Sequence, residues 1–178
     1  FTGGYFTPAV SVSKVTVTGH NNATISKTND KYRVSANANE VVFANITFED
    51  TMRNDSNPGS LTFTNCTFKA GLRMPHARDN STLKVENCVF TGSEEKNGYA
   101  IFVQGNLENV AISGNQISNA KCGMNIQTAP ATVSITGNTI TNLTGKDANG
   151  SKYGSAIQLT RGTSFTVTGN TINIANNL

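Results

Sequence analysis

The octet Val133-Ser-Ile-Thr-Gly-Asn-Thr-Ile140 is the stretch of this sequence that decides the fold. It alternates apolar and polar residues, passes through Gly-Asn, and returns to an apolar residue. Successive side chains of a β-strand point to opposite faces, so this alternation places one side of a strand in a core. The Gly-Asn pair marks a sharp turn. The octet therefore predicts two short strands joined by a bend.

The same octet recurs along the whole chain, which is the signature of a stacked repeat architecture. A first copy begins at Val15, loses register after Gly19 and is expected to close on Ile25. The remaining copies keep the apolar positions and the bend, and they are Val41–Phe48, Leu61–Phe68, Leu83–Phe90, Val110–Ile117, Val133–Ile140 and Phe165–Ile172.

The fifth octet position holds only glycine or asparagine. Its occupants are Gly19, Asn45, Asn65, Asn87, Gly114, Gly137 and Gly169. These residue types enter the left-handed backbone region at low cost, so we expect positive φ at the six copies from Asn45 onward. The bends are separated by a variable number of residues, which suits a coil of parallel strands better than a series of hairpins. The sequence therefore predicts an all-β, right-handed parallel β-helix of about seven rungs with three strands per rung.

The sixth position is expected to point inward and to stack on its equivalents in neighbouring rungs. Asn115, Asn138 and Asn170 occupy it in the last three copies, which predicts a ladder of hydrogen-bonded amides. Cys66 and Cys88 occupy it in two consecutive earlier copies. We expect them to be small, reduced core residues in contact, with a disulfide between adjacent rungs as the alternative. The chain has three cysteines, so at least one thiol is free.

A third strand follows each octet after a loop of variable length. Its flanking residues are expected to face the core and its middle residue to face outward. The predicted outward residues are Arg33, Arg53, Arg73, Phe102, Asn125 and Gln158. Arg53 and Arg73 stand at the same offset from their bends and should stack, and the spacing of Arg33 suits the same column. Glu94 and Glu95 fall in a polar loop and are expected to be solvated.

The motifs SITGNTI (134–140), TVTGNTI (166–172) and FTNCTF (63–68) resemble the degenerate repeats of the pectate-lyase-like β-helix superfamily, found in many secreted bacterial proteins. The resemblance covers nearly the whole chain and implies that the third strand floors a substrate groove. The superfamily includes polysaccharide lyases, hydrolases, epimerases, tailspikes and adhesins. A fold shared so widely does not assign an activity.

The first functional hypothesis is a non-catalytic module that contacts a polyanionic polysaccharide through the third-strand face. Stacked guanidinium groups repel each other unless anions intervene, and Arg suits carboxylated or sulfated sugars through bidentate pairing. Phe102 would offer its ring to a sugar. Alternatively, the arginines pair with local acids, for which the candidates are Glu49, Asp50, Asp55 and Asp79.

The second hypothesis is a small polysaccharide lyase, for which the resemblance implies calcium held by clustered acids and a basic residue. The candidate catalytic residues are Arg53, Arg73 and His76, and the candidate calcium ligands are Asp50, Asp55 and Asp79. No other cofactor is expected. The acidic motifs typical of the superfamily's hydrolases are missing from the sequence. The third hypothesis is a structural spacer or adhesin stalk without a ligand.

The charge and the distribution of apolar residues argue against some classes of partner. Only 14% of the residues are charged and the net charge is +3 without a run of Lys or Arg, which argues against nucleic acid. No apolar stretch approaches the roughly 18 residues of a membrane span. The chain begins with Phe1, and a removed signal peptide is compatible with that start. We therefore expect residues 1–178 to be one domain of a larger extracellular or cell-surface protein.

Overall fold

The strands of this protein follow one another as a coil. The computed structural model describes residues 5–6, 12–26, 33–34, 38–53, 59–77, 79–94, 98–129, 131–145 and 155–174. In three long sheets, strands pair in parallel with their equivalents in the neighbouring turns. Within the described ranges, no helix is long and apolar enough to span a membrane.

The first sheet contains the strand before each bend. Its seven members, in stacking order, are β2 (Val12–Thr18), β5 (Ala38–Ala44), β8 (Ser60–Thr64), β11 (Thr82–Glu86), β14 (Asn109–Ser113), β17 (Thr132–Thr136) and β20 (Ser164–Thr168).

The second sheet contains the strand after each bend. Its seven members are β3 (Thr24–Ile25), β6 (Thr47–Phe48), β9 (Thr67–Phe68), β12 (Val89–Phe90), β15 (Gln116–Ser118), β18 (Thr139–Thr141) and β21 (Thr171–Asn173). Ile25 is the register partner of Phe48, so the first copy closes on Ile25 as expected.

The third sheet is shorter than predicted. Its five members are β7 (Met52–Arg53), β10 (Leu72–Ala77), β13 (Tyr99–Gly105), β16 (Cys122–Thr128) and β19 (Ile157–Leu159). The first copy's third strand, β4 (Arg33–Val34), pairs instead with β1 (Tyr5–Phe6). Within the described residues, the chain therefore forms five complete three-stranded turns with one partial turn at each end.

The bends have the predicted conformation. The φ angles at Asn45, Asn65, Asn87, Gly114, Gly137 and Gly169 lie between 51° and 64°, which is the left-handed region. The first copy differs, because Asn21 and Asn22 take positive φ there and Gly19 does not. Gly19 serves another purpose: a side chain at this position would collide with the backbone oxygen of Asn45 in the next rung.

The interior of the early rungs is aromatic. Phe43 stacks on Phe63 with 5.4 Å between ring centroids, and Phe48 stacks on Phe68 at 5.0 Å. Phe90 continues the second stack at 4.6 Å from Phe68. These rings are almost completely buried, and burying each one contributes about 1.5–3 kcal/mol. Identical octet positions therefore form continuous columns through the core.

The predicted amide ladder runs through the later rungs. The Nδ2 of Asn115 donates to the Oδ1 of Asn138 at 2.9 Å, and the Nδ2 of Asn138 donates to the Oδ1 of Asn170 at 2.8 Å. The same side-chain oxygens accept the backbone N–H of the preceding rung, at 3.0 Å from Asn115 and 2.9 Å from Asn138. Buried amides are thereby satisfied by one another, which avoids the cost of unpaired polar groups.

Cys66 and Cys88 continue this column. The backbone N–H of Cys66 meets the Sγ of Cys88 at 3.4 Å, and the N–H of Cys88 donates to the Oδ1 of Asn115 at 2.9 Å. Both cysteines are buried and reduced, as is Cys122, so the structure has the predicted thiol pair and not the alternative disulfide. The Cys66 side chain, and then burial, raise the pKa of Cys88 above its ordinary value.

The last rung is open to solvent. Phe165, Val167 and Ile172 occupy core positions of the octet but remain 43%, 43% and 49% exposed. The equivalents of the first two, one rung earlier, are Val133 and Ile135, and both are fully buried. The end of the described coil therefore presents an apolar surface.

Replacing Gly137 by valine is expected to lower the free energy of unfolding by at least about 1 kcal/mol, because a β-branched residue is strained at positive φ. Space is not the cause, since no atom lies within 4 Å of the position that a Cβ would take at this glycine. Gly137→Asn is the matched control, because asparagine holds the same position in three other rungs. Urea denaturation measures the free energy of unfolding of both variants. An equal decrease in the two would argue against a left-handed bend.

Titration of the unfolded protein without reductant should detect three thiols, because the structure has no bond between Cys66 and Cys88. In the folded state, both should react only as fast as the coil unfolds, since they are almost inaccessible to solvent. A count of one thiol would show that adjacent rungs are cross-linked.

Candidate functional site

The third sheet aligns the predicted outward residues on neighbouring rungs. Arg53, Arg73, Phe102, Asn125 and Gln158 are successive register partners along β7, β10, β13, β16 and β19. We call this set the third-strand column. Neighbouring members lie one rung apart, about 4.8 Å in a parallel sheet. The predicted alignment is confirmed for these five residues.

Arg33 stands apart from the column. Its backbone pairs with that of Tyr5 in the separate two-stranded sheet, and not with the strand of Arg53. The side chain of Arg33 lies outside the described residues. Its spacing in the sequence suggested the same column, but spacing does not report which strand an intervening insertion brings alongside.

The middle of the column is covered, although the sequence predicted an exposed face. Phe102 is 6% exposed and Asn125 is 3% exposed, whereas Arg53 and Gln158 are half-buried. Tyr99 and Cys122 pack with Phe102 in a small apolar cluster that is separate from the core. The face that Phe102 was expected to offer to a sugar is therefore occupied by the protein itself.

Arg73 lies between an aromatic ring and a carboxylate. Its guanidinium carbon is 5.7 Å from the centroid of the Phe102 ring, within the range of a cation–π interaction. Its Nε is 3.9 Å from the Oε2 of Glu94. The Arg73 side chain is 12% exposed, so the guanidinium is largely withdrawn from water.

Glu94 was expected to be solvated, and this expectation is wrong, because its side chain is only 1% exposed. Two backbone hydrogen bonds hold this turn. The Glu94 N–H donates to the backbone carbonyl oxygen of Tyr99 at 2.9 Å, and the Gly98 N–H donates to the backbone carbonyl oxygen of Glu94 at 3.0 Å. Gly71 lets this turn approach the sheet, since a Cβ there would lie 2.7 Å from the Glu94 nitrogen. Composition alone could not distinguish this tucked carboxylate from a solvated one. Glu95 lies outside the described residues.

Tyr99 crosses the column from one end of the covered region to the other. Its ring centroid lies 6.2 Å from that of Phe102, and its hydroxyl donates to the Oε1 of Gln158 at 2.7 Å. Gln158 belongs to the strand two rungs further on, with the rung of Asn125 between them. The tyrosine therefore passes over the position of Asn125.

Two of the four candidate local acids have partners other than Arg73. Glu49 forms an ion pair with Lys69 at 2.8 Å, and the Oδ1 of Asp79 accepts a hydrogen bond from the Nδ2 of Asn106 at 2.8 Å. Asp55, another candidate partner, lies outside the described residues. The acid that approaches Arg73 is Glu94, which the sequence did not suggest for this role.

Asp55, one of the candidate calcium ligands for lyase chemistry, lies outside the described residues. His76 belongs to β10 by its backbone, and its side chain lies outside the described residues. Among the residues that the structure describes, no three His, Cys, Asp or Glu side chains could hold a metal ion together. The candidate calcium ligands Asp50, Asp55 and Asp79 therefore stay a prediction.

An amide pair lies beside the column and was missed in the sequence. Gln104 and Gln127 are register partners, two residues along β13 and β16 from Phe102 and Asn125. Because strand side chains alternate, both glutamines point outward from the coil. Gln104 is exposed and Gln127 is half-buried. Extending the outward positions by two residues would have found them.

Comparison with known proteins identifies the fold family. Residues 4–172 match the family model described as a right handed beta helix region. The chain therefore belongs to the right-handed β-helix family, in agreement with the predicted handedness and architecture. The searches of curated proteins and of solved structures gave no match.

Replacing Glu94 by glutamine is expected to lower the free energy of unfolding by about 1–3 kcal/mol, because it removes the carboxylate nearest to a largely buried guanidinium. Glu108→Gln is the matched control, since Glu108 is exposed and should change stability by less than about 0.5 kcal/mol. Urea denaturation of both variants checks this. Equal effects would mean that Glu94 is solvated after all.

Proposed function

We propose that this chain is a non-catalytic β-helix module of a secreted or cell-surface protein, and that it contacts a polyanionic polysaccharide through the Arg53–Arg73 end of the third-strand column. The register pairing of Arg53 with Arg73 is the observation that carries the proposal. Two guanidinium-bearing residues on adjacent strands repel each other by about 0.8 kcal/mol at about 5 Å in water. A carboxylated or sulfated chain laid across them would relieve that repulsion.

The neighbouring surface supports such a ligand. The five strands of the third sheet carry the two arginines and contain no Asp or Glu residue. Gln104 and Gln127 offer amide donors and acceptors that suit sugar hydroxyls. An anionic sugar chain running along the coil axis would meet the arginines and then the amides. Extracellular placement agrees with the resemblance to repeats of secreted proteins.

One observation favours a structural spacer instead. Arg73 already has a ring and a carboxylate for neighbours, so part of the positive charge is compensated within the protein. A variant at Arg53 probes a ligand without removing these two contacts of Arg73. The spacer hypothesis and the glycan hypothesis differ in whether removing Arg53 changes the affinity for any polyanion.

Titration calorimetry with pectate, heparin and chondroitin sulfate tests the proposal at low salt. We expect weak binding that declines as salt is added, because the arginines are screened. Arg53→Ala should weaken it about tenfold, from the loss of one charge-assisted hydrogen bond. Arg73→Ala should weaken it as well, provided that circular dichroism shows a folded coil.

Lys84→Ala is the charge-matched control, because Lys84 is exposed on β11 in the first sheet. It removes the same charge from a different face and should leave the affinity nearly unchanged. If no polyanion gives heat with the unaltered protein, the spacer hypothesis replaces this one. If pectate with calcium produces the ultraviolet absorbance of an unsaturated uronate, the protein is a lyase.

A further inference from the structure

The covered middle of the third-strand column contains polar groups that the protein leaves unsatisfied. The Oδ1 of Asn125 and the Nε of Arg73 are buried without a hydrogen-bond partner in the structure. Asn125 is 3% exposed. An unpaired buried acceptor is unfavourable, so closing this region is less favourable than its apolar contacts alone would make it. Admitting a hydrogen-bond donor to Asn125 would recover that cost.

Tyr99 crosses the rung of Asn125, because its hydroxyl reaches Gln158, the register partner of Asn125 in the next rung. It begins at the closed turn of Glu94 and Gly98, runs past the Phe102 ring and ends on Gln158. Gly98 has a φ of 78°, a conformation that glycine adopts without strain. The tyrosine stands outside the coil, in a cluster separate from the core. Moving it does not require any rung to separate.

We propose that Tyr99 is a latch that opens without unfolding the coil and exposes a closed subsite formed by Phe102 and Asn125. The ligand suited to that subsite is a hydroxylated ring, because Phe102 supplies an apolar face and the Asn125 oxygen accepts a hydroxyl hydrogen. The identity of that ligand rests on the proposed polysaccharide function. The opening of the latch does not, so the two can be tested separately.

The reactivity of the Cys122 thiol can be used to measure how often Tyr99 moves away. Cys122 is the register partner of Tyr99, belongs to the same outer cluster and is completely buried. Cys66 and Cys88 lie inside the coil and are expected to react only on unfolding. In native conditions, a thiol reagent should therefore modify Cys122 far faster than the other two, as peptide mass mapping can show. Modification of all three at the single rate of global unfolding would overturn the latch.

Tyr99→Phe removes only the hydroxyl that binds Gln158. It should accelerate native-state labelling of Cys122 about fivefold, which corresponds to the loss of one typical hydrogen bond. Gln158→Ala breaks the same bond from the other side, and the double variant should show no further acceleration. Thr24→Val is the matched control, because it deletes another side-chain hydroxyl bond, to the backbone oxygen of Asn22, in the first turn of the coil. An unchanged rate in Tyr99→Phe, or an equal rise in Thr24→Val, would refute the latch.

The ligand of the subsite is tested on the same variants by calorimetry with pectate, heparin and chondroitin sulfate. A polysaccharide that uses the subsite should bind Tyr99→Phe about fivefold more tightly, because the cost of opening is reduced. Equal affinity of the unaltered protein and of Tyr99→Phe for the polysaccharide would exclude the subsite as part of the binding face. Absence of binding by every variant would defeat the proposed function, while the labelling rates would still decide whether the latch opens.

Discussion

The left-handed residue at the bend between the first and second sheets is the constraint on which the rest of this structure depends. The φ values near 60° at Asn45, Asn65, Asn87, Gly114, Gly137 and Gly169 turn the chain between the first and second sheets at the same point of six of the seven rungs. With the corner fixed, the residues on either side fall into register with their equivalents above and below. A slip of one residue would send the apolar side chains outward, so the bend also determines which face is buried.

The columns that result have different chemistry in different parts of the coil. Early rungs stack phenylalanines, and later rungs stack asparagines whose amides bond to the next rung. Cys66 and Cys88 join the two regions, because they are small enough for the early core and still pass the hydrogen-bond column on to Asn115. The aromatic part is held by burial of area and the amide part by directional bonds. The aromatic stacks and the amide column both form because each octet position recurs at the same place in every rung.

Much of the coil was predictable because its determinants are local. The bends follow from residue types that tolerate positive φ, and the inward positions follow from alternation along a strand. The amide ladder, the cysteine contact and the alignment of Arg53, Arg73, Phe102, Asn125 and Gln158 all follow once the bends are in register.

The covering of the outer face was not predictable in the same way. Glu94 and Tyr99 reach the column from a loop of irregular length, and no periodicity records where such a loop folds. The partner of Arg33 was missed for a related reason, because an insertion precedes its strand and the sequence does not specify what pairs beside it. Sequence repeats therefore describe the scaffold, whereas exposure of the candidate site depends on segments that do not repeat.

The hydrogen-bond column at the sixth octet position has a consequence for how such a chain can change in length. The backbone N–H of each sixth-position residue donates to the sixth-position side chain of the following rung. This series begins with the N–H of Cys66 and ends at the side chain of Asn170. A duplicated or deleted whole turn would place equivalent donors opposite equivalent acceptors, so the coil is modular in units of one rung. Apart from the one between Gly19 and Ile25 in the first turn, insertions within a turn fall in the loops around the third strand, where the spacing between bends already varies. Evolution can therefore lengthen the rod and remodel its outer face independently of each other.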